Sequence, residues 1–338
     1  MTLSHIFLRP GECLAAVAIL ATSALSAAMA VVHQAPVDLP SYGGKALPVV
    51  LFLTTGAIAR WWRRDEFLAS FTMAAGLLLA FSLVLSTYNY LLLPVAVPLI
   101  DPWLLSTNAA LGYDWTAFVD WAASHPLLSS ALGSVYRSTL LQILAVLLAL
   151  AVTRRFAVAD LMVATIVVSG LATVAFWGLF PSIGVAPFLS LPETAQRAAA
   201  LVVDGREGAA LLRLVTLGPE VISPETMTGL IGFPSFHTVL ACICVRFAWP
   251  IRWLRWPLLL LNAAMLPAIL LHGGHHLLDL AGGAAFFVAS LWTATRLTRL
   301  IGEHEPREIV TAMRRAQVST ASTKPPGAWS TDPAGNRG

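Results

Sequence analysis

The chain has 338 residues, 57% of them hydrophobic and only 12% charged, against about 25% charged in an average soluble domain. With a mean hydropathy of +0.75, an ordinary water-soluble fold is excluded and lipid is the main solvent. The formal charge of +3 does not point to nucleic acid, because the basic residues stand singly or in pairs between apolar runs.

A helix needs about 20 mostly apolar residues to cross the hydrocarbon core. The uncharged runs predict about eight such spans, near 12–32, 46–62, 67–90, 134–153, 159–182, 233–250, 254–272 and 275–295. The second is the weakest, since Arg60 interrupts it. The length of the runs and their lack of alternation exclude a membrane β-barrel. The expected fold is therefore all-α, a polytopic helix bundle. We divide it into N-terminal spans over 1–66, a membrane domain over 67–298 and a cytoplasmic, largely disordered tail over 299–338. That tail ends in a Ser, Thr, Pro and Gly-rich stretch from 317. The first span has a second reading. Arg9, the apolar run and Ala28-Met29-Ala30 also match a cleavable signal peptide.

Basic residues mark the cytoplasmic side. With both termini inside, the outer segments keep only Lys45, Arg137, Arg197, Arg206 and Arg213, five of the 21 Lys and Arg. Trp61, Trp62, Trp249, Trp253 and Trp256 then form an inner aromatic belt, with Trp103, Trp115 and Trp121 at the outer surface. Two outer segments are too long for simple turns. Residues 91–133 include Gly112 to Trp121, which suits a helix lying on the membrane surface, and residues 183–232 hold most of the remaining outer charge. Cys13, Cys242 and Cys244 all fall in apolar runs and read as core residues rather than a disulfide framework.

Ionisable groups within spans are costly, about 2.5–3.5 kcal/mol each on insertion scales, so those present need a reason. One set is Gly232-Phe233-Pro234-Ser235-Phe236-His237-Thr238, at the outer start of the sixth span. Pro234 suits a first helical turn, the free amides beyond it form an anion cradle, and Ser235 and His237 add a hydroxyl and a proton donor. The other set is His272-Gly273-Gly274-His275-His276-Leu277-Leu278-Asp279, at the outer start of the eighth span. His275 and Asp279 are four apart and share a helix face. A carboxylate there fixes the imidazole tautomer and frees the other nitrogen to attack. A structural His–Asp pair and a metal site using His272, His275, His276 and Asp279 remain open on spacing alone. So does a transporter or ion relay at an outer vestibule, although the other spans offer few ionisable groups for a pathway.

P-S-F-H at 234–237 followed by G-G-H-H-L-L-D at 273–279 resembles the second and third motifs of the type 2 phosphatidic acid phosphatase superfamily. The pattern is closer to its inositol phosphorylceramide synthase branch (aureobasidin-resistance, inositol phosphotransferase), which reads F-P-S-x-H and H-H/Y-x-x-D. The bacterial members of that branch carry a segment like Gly112 to Trp121. The resemblance covers roughly 100–290 and implies a six-helix catalytic core. It also implies an enzyme acting on a lipid phosphate or inositol-phosphate head group, by hydrolysis or by transfer to a ceramide or diacylglycerol hydroxyl. By position, His275 becomes the nucleophile that forms a phosphohistidine, Asp279 its orienting carboxylate and His237 the acid for the leaving group. Ser235, with Pro234 and Phe236 around it, becomes the phosphate-binding element, and no cofactor or metal is implied. Two features of the phosphatase branch are missing. Its Ser-Arg pair before the nucleophile is Ala268 and Ile269 here. Its Lys-x6-Arg-Pro motif has only Arg206-x6-Arg213 as an echo, so Arg206, Arg213 or Arg137 is left to supply the positive charge.

Overall fold

A computed structural model describes residues 8–303. The expected disorder of 317–338 and the basic residues beyond 303 lie outside the described residues. Thirteen α-helices form among the described residues: α1 (Pro10–Val32), α2 (Leu39–Ile58, continued by a π-turn over Ala59–Arg63), α3 (Glu66–Leu91), α4 (Asp101–Ala110), α5 (Trp115–Ser124), α6 (Pro126–Arg137), α7 (Thr139–Val152), α8 (Phe156–Leu179), α9 (Glu193–Ala198), α10 (Gly205–Leu217), α11 (Phe236–Ala248), α12 (Arg255–His272) and α13 (Leu277–Glu303). The chain is an integral-membrane helical bundle. Among the described residues there are no strands, only one isolated bridge between Val37 and Ile222.

The expectation of eight full spans is not met by length. Six helices, α1, α2 with its π-turn, α3, α8, α12 and α13, are long and apolar enough to cross a membrane. The run at 134–153 is broken at Ser138, where α6 and α7 meet at 53°; together they would make a seventh. The run at 233–250 yields α11, only 13 residues, or about 20 Å at 1.5 Å per residue. Its limits are local: Ser235 caps it at one end, and Pro250 follows it at the other.

α1, α3, α7, α8 and α11 share the main core, built around Leu77, Phe81, Val146, Leu150, Met162, Val163 and Phe247. Small residues let the backbones close up, as where Gly170 of α8 meets Phe81 and Leu85 of α3. Polar side chains also join helices: Asn262 of α12 donates to Gln142 Oε1 of α7 at 2.7 Å.

One end of the bundle is closed by buried charge. Asp160 of α8 accepts the Gly11 and Glu12 amides at 2.8 and 3.0 Å, binding the positive end of the α1 dipole. Arg60 grips Glu12 through two contacts of 2.5 and 2.9 Å, and Arg9 reaches Glu66 at 2.6 Å. Both ends of the described chain lie here, Gly302 beside Pro10. Trp61 and Trp62, next to Arg60, are exposed.

The opposite end is covered by α4–α6, α9, α10 and the segments between them. Residues 112–121, expected as one surface helix, instead form a turn and then α5, capped by Asp114, whose carboxylate accepts from Thr116 and Ala117 amides. The Thr116 hydroxyl, which donates to the same carboxylate at 2.6 Å, and then these amides hold the Asp114 carboxyl below its ordinary pKa. Trp115 does not join a belt. It is buried against Val119, Leu132, Val185 and Leu271, with its indole N–H on Leu270 O at 2.9 Å, because an aromatic at the first position of this capped helix faces α12.

Candidate active site

The site forms where α11, α12 and α13 meet this cover. α12 ends at His272, and Gly273 and Gly274 turn the chain into α13 at Leu277. Gly274 sits at φ +59°, a conformation that disfavours a side chain. His275 and His276 therefore precede the helix; they are not inside it, as the four-residue spacing had suggested. Their link to Asp279 is instead a helix-capping device. His276 occupies the N-cap and Asp279 the third helical position, from which a carboxylate reaches back to the cap amide. Asp279 Oδ2 accepts the His276 backbone N–H at 2.9 Å and His275 Nδ1–H at 2.8 Å. Both side chains are almost fully buried. Because a carboxylate only accepts, His275 carries its proton on Nδ1 and leaves Nε2 with a lone pair.

The start of α11 abuts this turn. Ser235 N–H donates to Asp279 O at 3.1 Å, and a Cβ on Gly283 would lie 2.5 Å from Ser235 O, so only glycine permits the approach. Ser235 is the N-cap of α11, its Oγ accepting from Thr238 N–H at 3.3 Å. Pro234 thus stands before the cap and not in the first turn, since the cap must keep an extended backbone (Ser235 φ −63°, ψ 111°). The capped start leaves the Phe236 and His237 amides without intrahelical partners. Phe236 is partly buried against the main core.

His237 stacks on Tyr136 of α6, with ring centroids 4.4 Å apart and planes at 23°. A Cβ on Gly273 would lie 2.7 Å from His275 Cδ2 and 3.1 Å from Tyr136 Cε2. Gly273 thus lies between His275 and Tyr136, the ring on which His237 stacks. Tyr113, before α5, also faces this region. Its Oη is buried with no hydrogen-bond partner among the described residues, as is Asp279 Oδ1. Burial first, then the charges of Asp279 and Asp114, push the Tyr113 phenol well above its ordinary pKa.

Sequence reasoning missed the element that joins the two motifs. Asp101, at the start of α4 and fully buried, accepts Ser182 Oγ–H at 2.8 Å and the Ile183 and Gly184 amides at 3.1 and 2.9 Å. The loop it gathers touches both motifs: Val185 N–H donates to Gly274 O, and Gly232 N–H donates to Ser182 O, each at 2.7 Å. Gly184, at φ +85°, would place a Cβ 2.4 Å from Gly274 O. The only sequence signal was an acid followed by proline, Asp101-Pro102, which also reads as an ordinary helix start.

The three candidate arginines are placed differently. Arg206 and Arg213 lie on α10 with side chains 83% and 71% exposed, paired with Glu193 and Glu220 at 3.6 and 3.5 Å. Arg137, at the end of α6 next to Tyr136, is exposed. His272 itself turns away from His275. Its Nε2–H donates to Ser129 O at 2.8 Å, and its ring packs over Gly133. The imidazoles of His272, His275 and His276 thus have separate partners. Among the described residues, no three His, Cys, Asp or Glu side chains converge as a metal site.

Comparison with known proteins adds a family. No curated protein and no solved structure matches the chain. The family model described as PAP2 superfamily matches residues 102–293, more than half of the chain, from the second residue of α4 into α13, and members of that superfamily are phosphohydrolases. The chain belongs to the PAP2 superfamily.

Proposed function

We propose that this protein is a membrane-embedded lipid phosphatase or phosphotransferase working through a phosphohistidine on His275. The observation that carries this reading is the buried 2.8 Å contact between His275 Nδ1 and Asp279 Oδ2, beside a second histidine stacked on Tyr136. In the first step, the His275 Nε2 lone pair attacks phosphorus and the bond to the ester oxygen breaks. The leaving oxygen takes a proton from His237. In the second, His237 takes a proton from water or an alcohol, whose oxygen attacks phosphorus and breaks the P–Nε2 bond. Asp279 stabilises the positive imidazole in between, through the proton that stays on Nδ1. Positioning and charge neutralisation supply most of the rate in phosphoryl transfer. The free amides of Phe236 and His237, with Ser235, Pro234 and Phe236 shaping the turn, are the phosphate cradle.

Arg137 is the arginine we assign to the phosphate, because it follows Tyr136, the ring stacked on His237, at the end of α6, while Glu193 and Glu220 engage Arg206 and Arg213. Eight crossings, with α6 and α7 as one bent span and α11 as a short one, put both termini in the cytoplasm and the site on the outer face. The basic-residue asymmetry supports that orientation. The substrates we infer are a lipid phosphate, or an inositol phospholipid with a ceramide or diacylglycerol acceptor. Wild type and His275→Ala, purified in detergent, are compared on phosphatidic acid and on inositol phospholipid with each acceptor, following inorganic phosphate and lipid products. Turnover by wild type alone is expected; equal turnover by both ends this reading.

A further inference from the structure

His276 is fully buried beside the proposed nucleophile, and both of its ring nitrogens are engaged by α4. Asn108 Nδ2 lies 3.0 Å from Nδ1, and Asp101 Oδ1 lies 3.2 Å from Nε2. The Asn108 amide cannot be reversed, because its Oδ1 accepts the Leu277 backbone N–H at 3.1 Å. Its NH2 therefore faces His276 Nδ1, which must accept. The single ring proton then sits on Nε2 and is donated to Asp101.

This arrangement holds the backbone that carries the chemistry. His276 N–H is tied to Asp279 and Leu277 N–H to Asn108, so two successive amides at the start of α13 are fixed from opposite sides. Asp101 at the far end of the chain of contacts also holds the loop that binds Gly274 and Gly232.

We propose that Asn108, His276 and Asp101 are positioning residues, a buried clamp of fixed hydrogen-bond polarity that holds the first turn of α13 so that His275 Nε2 faces His237. This rests on the phosphoryl-transfer reading of the site. The clamp works with His276 neutral and protonated on Nε2. The ionisable groups around it are Asp101 on α4, Tyr113 beyond the end of α4, and His275 and Asp279 on its own stretch of chain.

The polarity gives a specific test. Asn108→Asp replaces the donor at Nδ1 by an acceptor, so His276 can satisfy both neighbours only by binding a second proton. Asn108→Ala removes the contact at every pH. For Asn108→Ala we expect kcat to fall about tenfold or more throughout, with KM within about twofold, since a buried acceptor and a buried amide lose their partner. For Asn108→Asp we expect kcat within about threefold of wild type at pH 6, falling more than about tenfold below it by pH 9; taking the ratio to wild type cancels the shared pH dependence. Its melting temperature in detergent should likewise match wild type at pH 6 and drop below it at pH 9. An Asn108→Ala kcat close to wild type overturns the positioning role. An Asn108→Asp ratio and melting gap that stay flat from pH 6 to 9 overturn the polarity. If wild type turns over none of the lipid substrates, the phosphoryl-transfer reading is what fails, and the positioning role falls with it; the melting gap then reports on the clamp alone.

Discussion

Asp279→Asn separates charge from geometry at the proposed nucleophile. One carboxylate oxygen, Oδ2, accepts from both the His276 amide and His275 Nδ1, while Oδ1 has no partner among the described residues. In the variant the His276 N–H demands an acceptor at the Oδ2 position, so the amide oxygen sits there and the NH2 group takes the place of Oδ1. His275 then keeps its Nδ1–H tautomer and its orientation and loses only the negative charge. A hydrogen bond to a charged group contributes about 1.5–3 kcal/mol and a neutral one about 0.5–1.5. The difference of about 1–2 kcal/mol corresponds to a fall in kcat of roughly 5- to 30-fold. Asp279→Ala, by contrast, orphans two buried donors, costing about 2–6 kcal/mol of stability, and lets the imidazole turn, for a loss on the order of 10³-fold or more. Single-turnover phosphate release from a lipid phosphate, with thermal unfolding measured in parallel, distinguishes these outcomes. The reasoning is refuted if Asp279→Asn is as impaired as Asp279→Ala, for then the backbone amide does not choose the oxygen.

Three further outcomes follow from the same structure. Arg60→Met should destabilise the bundle by about 3–5 kcal/mol by leaving Glu12 buried without its partner, whereas the Glu12→Met/Arg60→Met double variant should unfold near wild type; tryptophan emission during heating measures both, and equal losses would contradict the buried-pair argument. Arg137→Gln should lower kcat/KM about 10-fold or more if its guanidinium meets the phosphate, while Arg206→Gln and Arg213→Gln stay within about twofold because their charges are solvated. Asp114 has its pKa lowered on folding by the Thr116 hydroxyl and the α5 cap amides, so its contribution is full above the ordinary carboxylate value, about 3.9, and is lost as pH falls through the lower native value. Asp114→Ala should therefore melt below wild type at pH 7, with the gap closing below about pH 4; a gap independent of pH would argue against the cap.

Composition by itself determined that the chain is a helical membrane protein. A run of apolar residues long enough to span lipid must satisfy its backbone internally, and a helix does so without help from the rest of the fold. The two histidine motifs were legible for a related reason. Each lies at a helix start, where proline, serine, glycine and an acid three positions inside the helix have local, sequence-written roles. Span lengths were less legible, because hydropathy does not register the Ser138 break between α6 and α7 or the cap that shortens α11.

Only the tertiary structure decided what surrounds the histidines. Asp101 and Asn108 are 175 and 168 residues from His276 in sequence, and a polar residue in an apolar surface segment looks the same whether it meets water or a buried imidazole. The stacking of Tyr136 on His237 likewise depends on how α6 leans over α11. Local sequence sets which backbone groups a helix end leaves free. Which distant side chains meet those groups is fixed by packing, because buried hydrogen-bonding groups must find their partners inside the protein.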